Sequence, residues 1–277
     1  MTEAVAGHGL SHQRRRPVQQ GCPRSLPGRR RGWYTEAVRS IPWGAHLVQL
    51  ERFGLLFPVS CYLVREDDGL TLVDTGMAGS AGGILAAARA LGAPIRRIAL
   101  THPHVDHAGA LDALHTALPA AEVLLSARDA RIVRGDRGLD PAEPQVPLRG
   151  GWPRLETPPT REVVGGDRVG SLEVVAAPGH TPGHLAFFDR RDGSLLAGDA
   201  FQTRAGLAVA GVVRPLFPFP ALATWHKPTA LRSATALLAL RPARLAAGHG
   251  PVLTDPVPAM GAAVAEAERQ FGTPTGA

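Results

Sequence analysis

The sequence predicts an α/β fold, and three features carry that expectation. With 277 residues and 44% hydrophobic content, the chain can bury a sizeable core, as one large domain or two small ones. Short β-rich runs alternate with Ala- and Leu-rich helical stretches. Two turn signals, Glu66-Asp67-Asp68-Gly69 and Arg191-Asp192-Gly193, each join a pair of such runs as an antiparallel hairpin.

The elements follow in order from Trp43. His46 to Leu50 and Cys61 to Val64 read as strands, and the second pairs through the Asp-Gly turn with Leu70 to Val73. Ile84 to Leu91 is an Ala-rich helix stopped by Gly92 and Pro94. Arg97 to Thr101 is a short apolar strand, Ala108 to Leu118 a helix, Glu122 to Leu125 a strand and Ala127 to Val133 a helix. Residues 135–159 hold six prolines and form a long loop. Leu172 to Ala176 resumes as a strand, and Leu185 to Phe188 pairs with Ser194 to Ala197. Phe201 to Trp225 is irregular and rich in Gly, Pro and Phe; a helix follows, with Pro228 in its first turn. Arg244 to Ala247 is a last strand and Val257 to Phe271 a closing helix. No repeat of fixed period is present, although the two hairpins, each ending in an acidic residue, suggest two similar halves.

The net charge of +6 is concentrated at one end. Residues 1–40 hold eight arginines against Glu3 and Glu36, so the remaining 237 residues are neutral. This divides the chain into a basic arm, 1–40, expected to be disordered and dispensable for folding, and a folded domain, 41–277. Clustered arginine suits phosphate, but the arm lacks interleaved aromatics and an amphipathic period, so a solvated extension or an unused upstream start is expected. Neither nucleic acid nor membrane is expected as a partner. Two cysteines, Cys22 and Cys61, make no disulfide framework, and Cys61 is expected to be buried and inert. No apolar run approaches a membrane span, and no signal segment follows Arg14-Arg15-Arg16, so a reduced, cytoplasmic setting is expected.

The chemistry-bearing residues fall where apolar strands give way to loops, and such strand ends can converge on one rim. The densest group is His102-x-His104-x-Asp106-His107. Imidazole nitrogens and carboxylate oxygens are good zinc ligands, and one turn offering four of them can serve two adjacent metals. His180, Asp199 and His249 supply further ligands, each preceded by a glycine that permits close backbone approach.

With these motifs the sequence resembles the hydrolase branch of the metallo-β-lactamase superfamily over about residues 43–250. The resemblance implies a four-layer αββα sandwich with its metal site at one rim. It also implies that His102, His104 and His180 hold one metal, that Asp106, His107 and His249 hold the other, and that Asp199 bridges them. Asp74, in Val73-Asp74-Thr75-Gly76, matches the family's early acidic motif and is expected to orient a ligand. His184, in Gly179-His180-Thr181-Pro182-Gly183-His184, is expected to donate a hydrogen bond behind the ligands rather than to bind metal. Phe201, Leu216, Phe217, Phe219 and Trp225 either line a substrate pocket or pack as ordinary core. His8, His12, His46, His115 and His226 have no partner pattern.

The implied activity is hydrolysis of an ester, thioester or lactone in a small-molecule substrate. Two Zn2+ ions hold a bridging hydroxide as nucleophile, and Asp106 orients it or carries its proton. Glutathione thioesters are disfavoured, because the family's enzymes for them carry a substantial C-terminal helical region and only 28 residues follow His249. Lactone specificity is in doubt, because Gln202 stands where signal-lactone hydrolases carry tyrosine. The β-lactamase reading fails on the missing signal segment and a different ligand set. One alternative is a persulfide dioxygenase-like oxidoreductase with a single Fe2+ on His102, His180 and Asp199. Another is a metal-dependent nuclease, which the neutral body and the short Asp199–His249 interval disfavour.

Overall fold

The computed structural model describes residues 38–54 and 56–271. Strands β1 (Arg39–Trp43), β2 (Leu47–Arg52), β3 (Val59–Glu66) and β4 (Gly69–Val73) lead to helix α1 (Ala81–Ala90). Next come β5 (Ile95–Ala99), α2 (Val105–Ala108), α3 (Leu111–Ala117), β6 (Glu122–Ser126), α4 (Ala127–Val133) and β7 (Arg161–Val163). The second half runs through β8 (Arg168–Val169), β9 (Leu172–Ala176), β10 (Leu185–Asp189), β11 (Ser194–Gly198), β12 (Phe201–Gln202) and β13 (Ala208–Val209). It closes with α5 (Phe219–Ala223), α6 (Lys227–Ala239), β14 (Arg244–Ala247), β15 (Leu253–Thr254) and α7 (Val257–Phe271).

β1 to β7 form one sheet in sequential order, antiparallel through β4 and parallel from there. The second sheet runs β15-β14-β11-β10-β9-β8, with β11 and β14 parallel. Alternation along the strands shows how the layers stack, since successive side chains point to opposite faces. On β3, Cys61 and Leu63 enter a core with Ile84 of α1 and Leu111 and Leu114 of α3, whereas Tyr62 and Val64 enter one shared with Leu172, Val174 and Phe187 of the other sheet. On β10, Leu185 and Phe187 face that shared core, while Ala186 and Phe188 face Leu237 of α6 and Met260 of α7. Three cores separate four layers, helix, sheet, sheet and helix, as expected.

Several details differ from the expectation. Arg39 and Ser40, the last residues of the expected arm, pair in β1 with Glu51 and Leu50. Residues 1–37 of the expected arm, which include His8, His12 and Cys22, lie outside the described residues. The helix expected at Ala108 to Leu118 is two helices, broken at Gly109, where a Cβ would lie 2.3 Å from the Val105 carbonyl oxygen. The irregular stretch 201–225 contains β12, β13 and α5, elements too short to leave a periodic signal. Residues 135–159 form the long loop the prolines require.

Candidate metal centre

The loops after β4, β5, β9, β11 and β14 converge on one rim of the sandwich. His102 and His104 precede α2, with His104 in extended backbone as its N-cap, and Asp106 and His107 lie on α2 itself. His180 follows β9, Asp199 follows β11 and His249 follows β14. Gly248 must lack a side chain, since a Cβ there would lie 2.3 Å from Asp199 Oδ1 and 2.5 Å from His107 Cε1.

Each of the five imidazoles has one nitrogen held by the protein. His107 Nδ1 donates to Asp74 Oδ2 at 2.8 Å, and His249 Nδ1 donates to the Pro58 carbonyl at 2.7 Å. His180 Nδ1 donates to Thr224 Oγ1 at 3.2 Å, whose own proton goes to the Pro220 carbonyl. Thr101 Oγ1 donates to Asp74 Oδ2 and so accepts from His102 Nδ1 at 3.1 Å. His104 is the reverse case: its Nε2 donates to the Arg149 carbonyl at 3.1 Å, leaving Nδ1 inward, 3.1 Å from His180 Nε2. Where the ring is neutral these contacts fix its tautomer, because a neutral ring that donates from one nitrogen presents a lone pair at the other.

The inward atoms crowd together. His102, His104 and His180 form one group whose ligand atoms lie within 4.8 Å of one another; His102, His107 and Asp199 form a second, and Asp106, His107 and His249 a third. Asp199 sits between them, with Oδ1 3.3 Å from His107 Nε2 and Oδ2 3.4 Å from both His180 Nε2 and His249 Nε2. His102 Nε2, His107 Nε2 and Asp199 Oδ1 are buried and have no hydrogen-bond partner. Such orphans are costly, and their convergence is the arrangement metal ligation requires. The residues present therefore fit a pair of divalent cations.

The electrostatics agree. Burial pushes the His102 and His180 imidazoles well below their ordinary range and His104 down to about 4, so they are neutral donors at physiological pH. Burial also opposes charge on His107 and His249, but the Asp199 carboxylate outweighs it, aided by Asp74 at His107 and Asp106 at His249. The first is raised well above its ordinary value and the second to about 10. Burial likewise opposes charge on Asp106 and Asp199, yet the neighbouring imidazoles hold both below the usual carboxylate range.

The structure brings all seven expected ligand residues together, and Asp74 to His107. His184 corrects the expectation: its Nε2 accepts from the Asp199 backbone N–H at 3.1 Å, so it is an acceptor that fixes the Asp199 turn rather than a donor. The reason is the positive-φ backbone of Gly198, which packs the turn against the ring. His226 caps α6 by accepting from Thr229 N–H. Cys61 is buried, and burial raises its thiol pKa far above the ordinary value.

The centre forms the floor of a cavity of about 240 Å³. Of the four aromatic residues offered as its lining, only Phe219 does so. Phe201 is fully buried in the core under α6 and α7. Phe217 lies behind the wall, its ring 5.2 Å from Phe57 and 5.3 Å from His249. Trp225 is buried and donates to the Val146 carbonyl, anchoring the long loop. Leu216 is exposed and does not line the cavity.

Sequence reasoning missed several contributors. Phe57 lines the cavity. Trp152 sets its ring edge-on to His104 at 5.0 Å. The Arg149 carbonyl holds His104. Asp129 accepts from Thr181 Oγ1 at 2.6 Å and Gly183 N–H at 2.8 Å, clamping the loop that carries His180. Asp129 had a signal of a kind, an acid three residues after Ser126, but that pattern reads as helix capping, and Ser126 Oγ does accept from the Asp129 backbone N–H.

The sequence profile of the metallo-beta-lactamase superfamily matches residues 54–249. The chain belongs to that superfamily. It is 46% identical over 222 residues to the uncharacterized protein YobT of Bacillus subtilis strain 168, a match covering 80% of this chain and 95% of YobT. It is 33% identical to the probable metallo-hydrolase YflN of the same organism, over 69% of this chain and 79% of YflN. A hydroxyacylglutathione hydrolase of Rhodospirillum rubrum is 33% identical over half of this metallo-β-lactamase-fold chain, but the match spans only 46% of that enzyme. Among solved structures, TTHA1623 in a di-iron-bound form is 29% identical with a TM-score of 0.54, covering 74% of this chain and 93% of its own. The chain thus carries, in a superfamily known for metal sites, a His/Asp cluster suited to divalent metal.

Proposed function

We propose that the chain is a dinuclear zinc hydrolase of ester, thioester or lactone bonds. The observation that carries this reading is the convergence of seven ligand side chains, five of them imidazoles each held at one nitrogen, on the floor of an open apolar-walled cavity. His102, His104 and His180 would hold one cation, Asp106, His107 and His249 the other, with Asp199 between them. A cation pair there supplies two things: it brings the pKa of a water toward neutrality and it polarises the substrate carbonyl.

The protein's own groups position and move protons. Asp106 lines the cavity and remains an ionised acceptor at neutral pH, so it orients the attacking water and takes its proton. Asp74 and the Pro58 carbonyl keep His107 and His249 in the tautomer that presents Nε2. The oxygen of one water bonds to the acyl carbon, the acyl–O or acyl–S bond breaks to give a carboxylate product, and the alkoxide or thiolate takes the proton Asp106 returns.

The test is elemental analysis of protein purified from unsupplemented medium, together with Asp199→Asn. About two zinc per chain, with both metal content and turnover falling in the variant, is the expected result. Unchanged values in Asp199→Asn refute the assignment. About one iron per chain with persulfide-dependent oxygen uptake replaces it with an oxidoreductase.

A further inference from the structure

We infer that the acyl part of the substrate is uncharged and apolar. This rests on the hydrolase reading and deepens it. Above its ligand floor the cavity is walled by Phe57, Met77, Val105, Phe219, Pro220 and Ala223, and among the described residues no lysine or arginine lines it. Two of the cations nearby in the chain are engaged. Arg52 donates to the Ala78 carbonyl and to Ser80 Oγ. Lys227, the chain's single lysine, stands over the Phe271 ring at 5.9 Å. Arg149 presents its carbonyl to His104 while its side chain is exposed.

The wall is built as an apolar surface. Phe57, Phe217 and Phe219 pack as three rings with centroids 5.0 to 5.4 Å apart, and Phe217 holds the outer two from behind. Of the lining side chains, Phe219 is still 51% exposed and Val105 41%. Apolar side chains grouped around a cavity mouth mark a ligand surface, whereas scattered ones do not. The cavity of about 240 Å³ leaves room for an apolar group beside the ligand floor. A substrate carrying a carboxylate on its acyl group would bury that charge against phenylalanine with no partner.

The metal-loaded protein is assayed with 4-nitrophenyl acetate, butyrate, hexanoate and octanoate, and with mono-4-nitrophenyl adipate, which places a carboxylate at the end of a six-carbon chain. The expected result is a kcat/KM rising about two- to fourfold per methylene along the ester series, with hexanoate at least tenfold above adipate. Phe219→Ala flattens that slope, and Ala223→Arg raises adipate relative to hexanoate. Calorimetric binding of hexanamide against adipic acid monoamide reads the same preference without turnover. A flat chain-length series, adipate equal to hexanoate, or equal binding of the two amides overturns the inference. Tighter hexanamide binding with no hydrolysis of any ester supports it while removing the hydrolase reading.

Discussion

Replacing Asp129 separates its structural role from its charge. The carboxylate is fully buried and accepts from Thr181 Oγ1 and Gly183 N–H, and burial raises its pKa to about 6. Asp129→Ala leaves both donors buried without a partner, at about 1–3 kcal/mol each, so the loss expected is roughly 2–6 kcal/mol. Asp129→Asn keeps one acceptor for Gly183 N–H and offers an N–H₂ to which the Thr181 hydroxyl can turn its oxygen. It removes the titration but not the clamp. Because the folded pKa lies above the unfolded value near 3.9, the wild-type carboxyl contributes stability that is fully present below about pH 4 and is lost as pH rises through about 6. The difference of about two units corresponds to about 3 kcal/mol. Denaturant unfolding of wild type and Asp129→Asn, paired at each pH from 4 to 8 so that other titrations cancel, should therefore show the wild type losing about 3 kcal/mol relative to the variant. Asp129→Ala should in addition retain less metal than Asp129→Asn, because the His180 loop is released. A pH-independent difference between wild type and Asp129→Asn would refute the buried-acid argument, and an Asp129→Ala protein of wild-type stability and metal content would refute the clamp.

Other outcomes follow from the same geometry. Asp74→Asn should weaken metal affinity by about 10- to 100-fold, read by competition with a chelating dye, because His107 loses the acceptor that fixes its tautomer. Gly248→Ala should fold yet bind fewer than two metals per chain, since its methyl would occupy space now held by Asp199 Oδ1 and His107; full metal content contradicts this. Metal uptake by chelator-treated protein at pH 7 should release about two protons, those held by His107 and His249, and weaken as pH falls. Calorimetry in two buffers of different ionisation enthalpy measures the number, and no release contradicts the assignment. Chelation should lower the melting temperature, since a cation pair at 100 times its Kd stabilises the fold by about 2.7 kcal/mol per site.

The ligands were legible because His102, His104, Asp106 and His107 stand within six residues, a density that solvated loop groups rarely reach. The layers were legible because strands such as β3 and β10 alternate cleanly between two cores. The cavity wall was not: Phe201, Phe217, Phe219 and Trp225 share one composition-biased stretch, and only the packing of α5 against Phe57 decides that Phe219 faces the cavity while Phe217 supports it from behind. Asp129 was hidden by its own capping pattern. The partners of His104 and His249 left no mark on the sequence, because Arg149 and Pro58 contribute main-chain oxygens.

Those two carbonyls make part of the centre immune to point substitution and sensitive to chain length. Any amino acid at 149 presents the same oxygen to His104, provided the path from Val146, tied down by Trp225, to Gly151, whose carbonyl accepts from Val105 N–H, keeps its number of residues. Saturation mutagenesis would pass over position 149 as neutral. Deleting or inserting a single residue between 147 and 150 would shift that oxygen by about 3.8 Å and uncouple His104 from it.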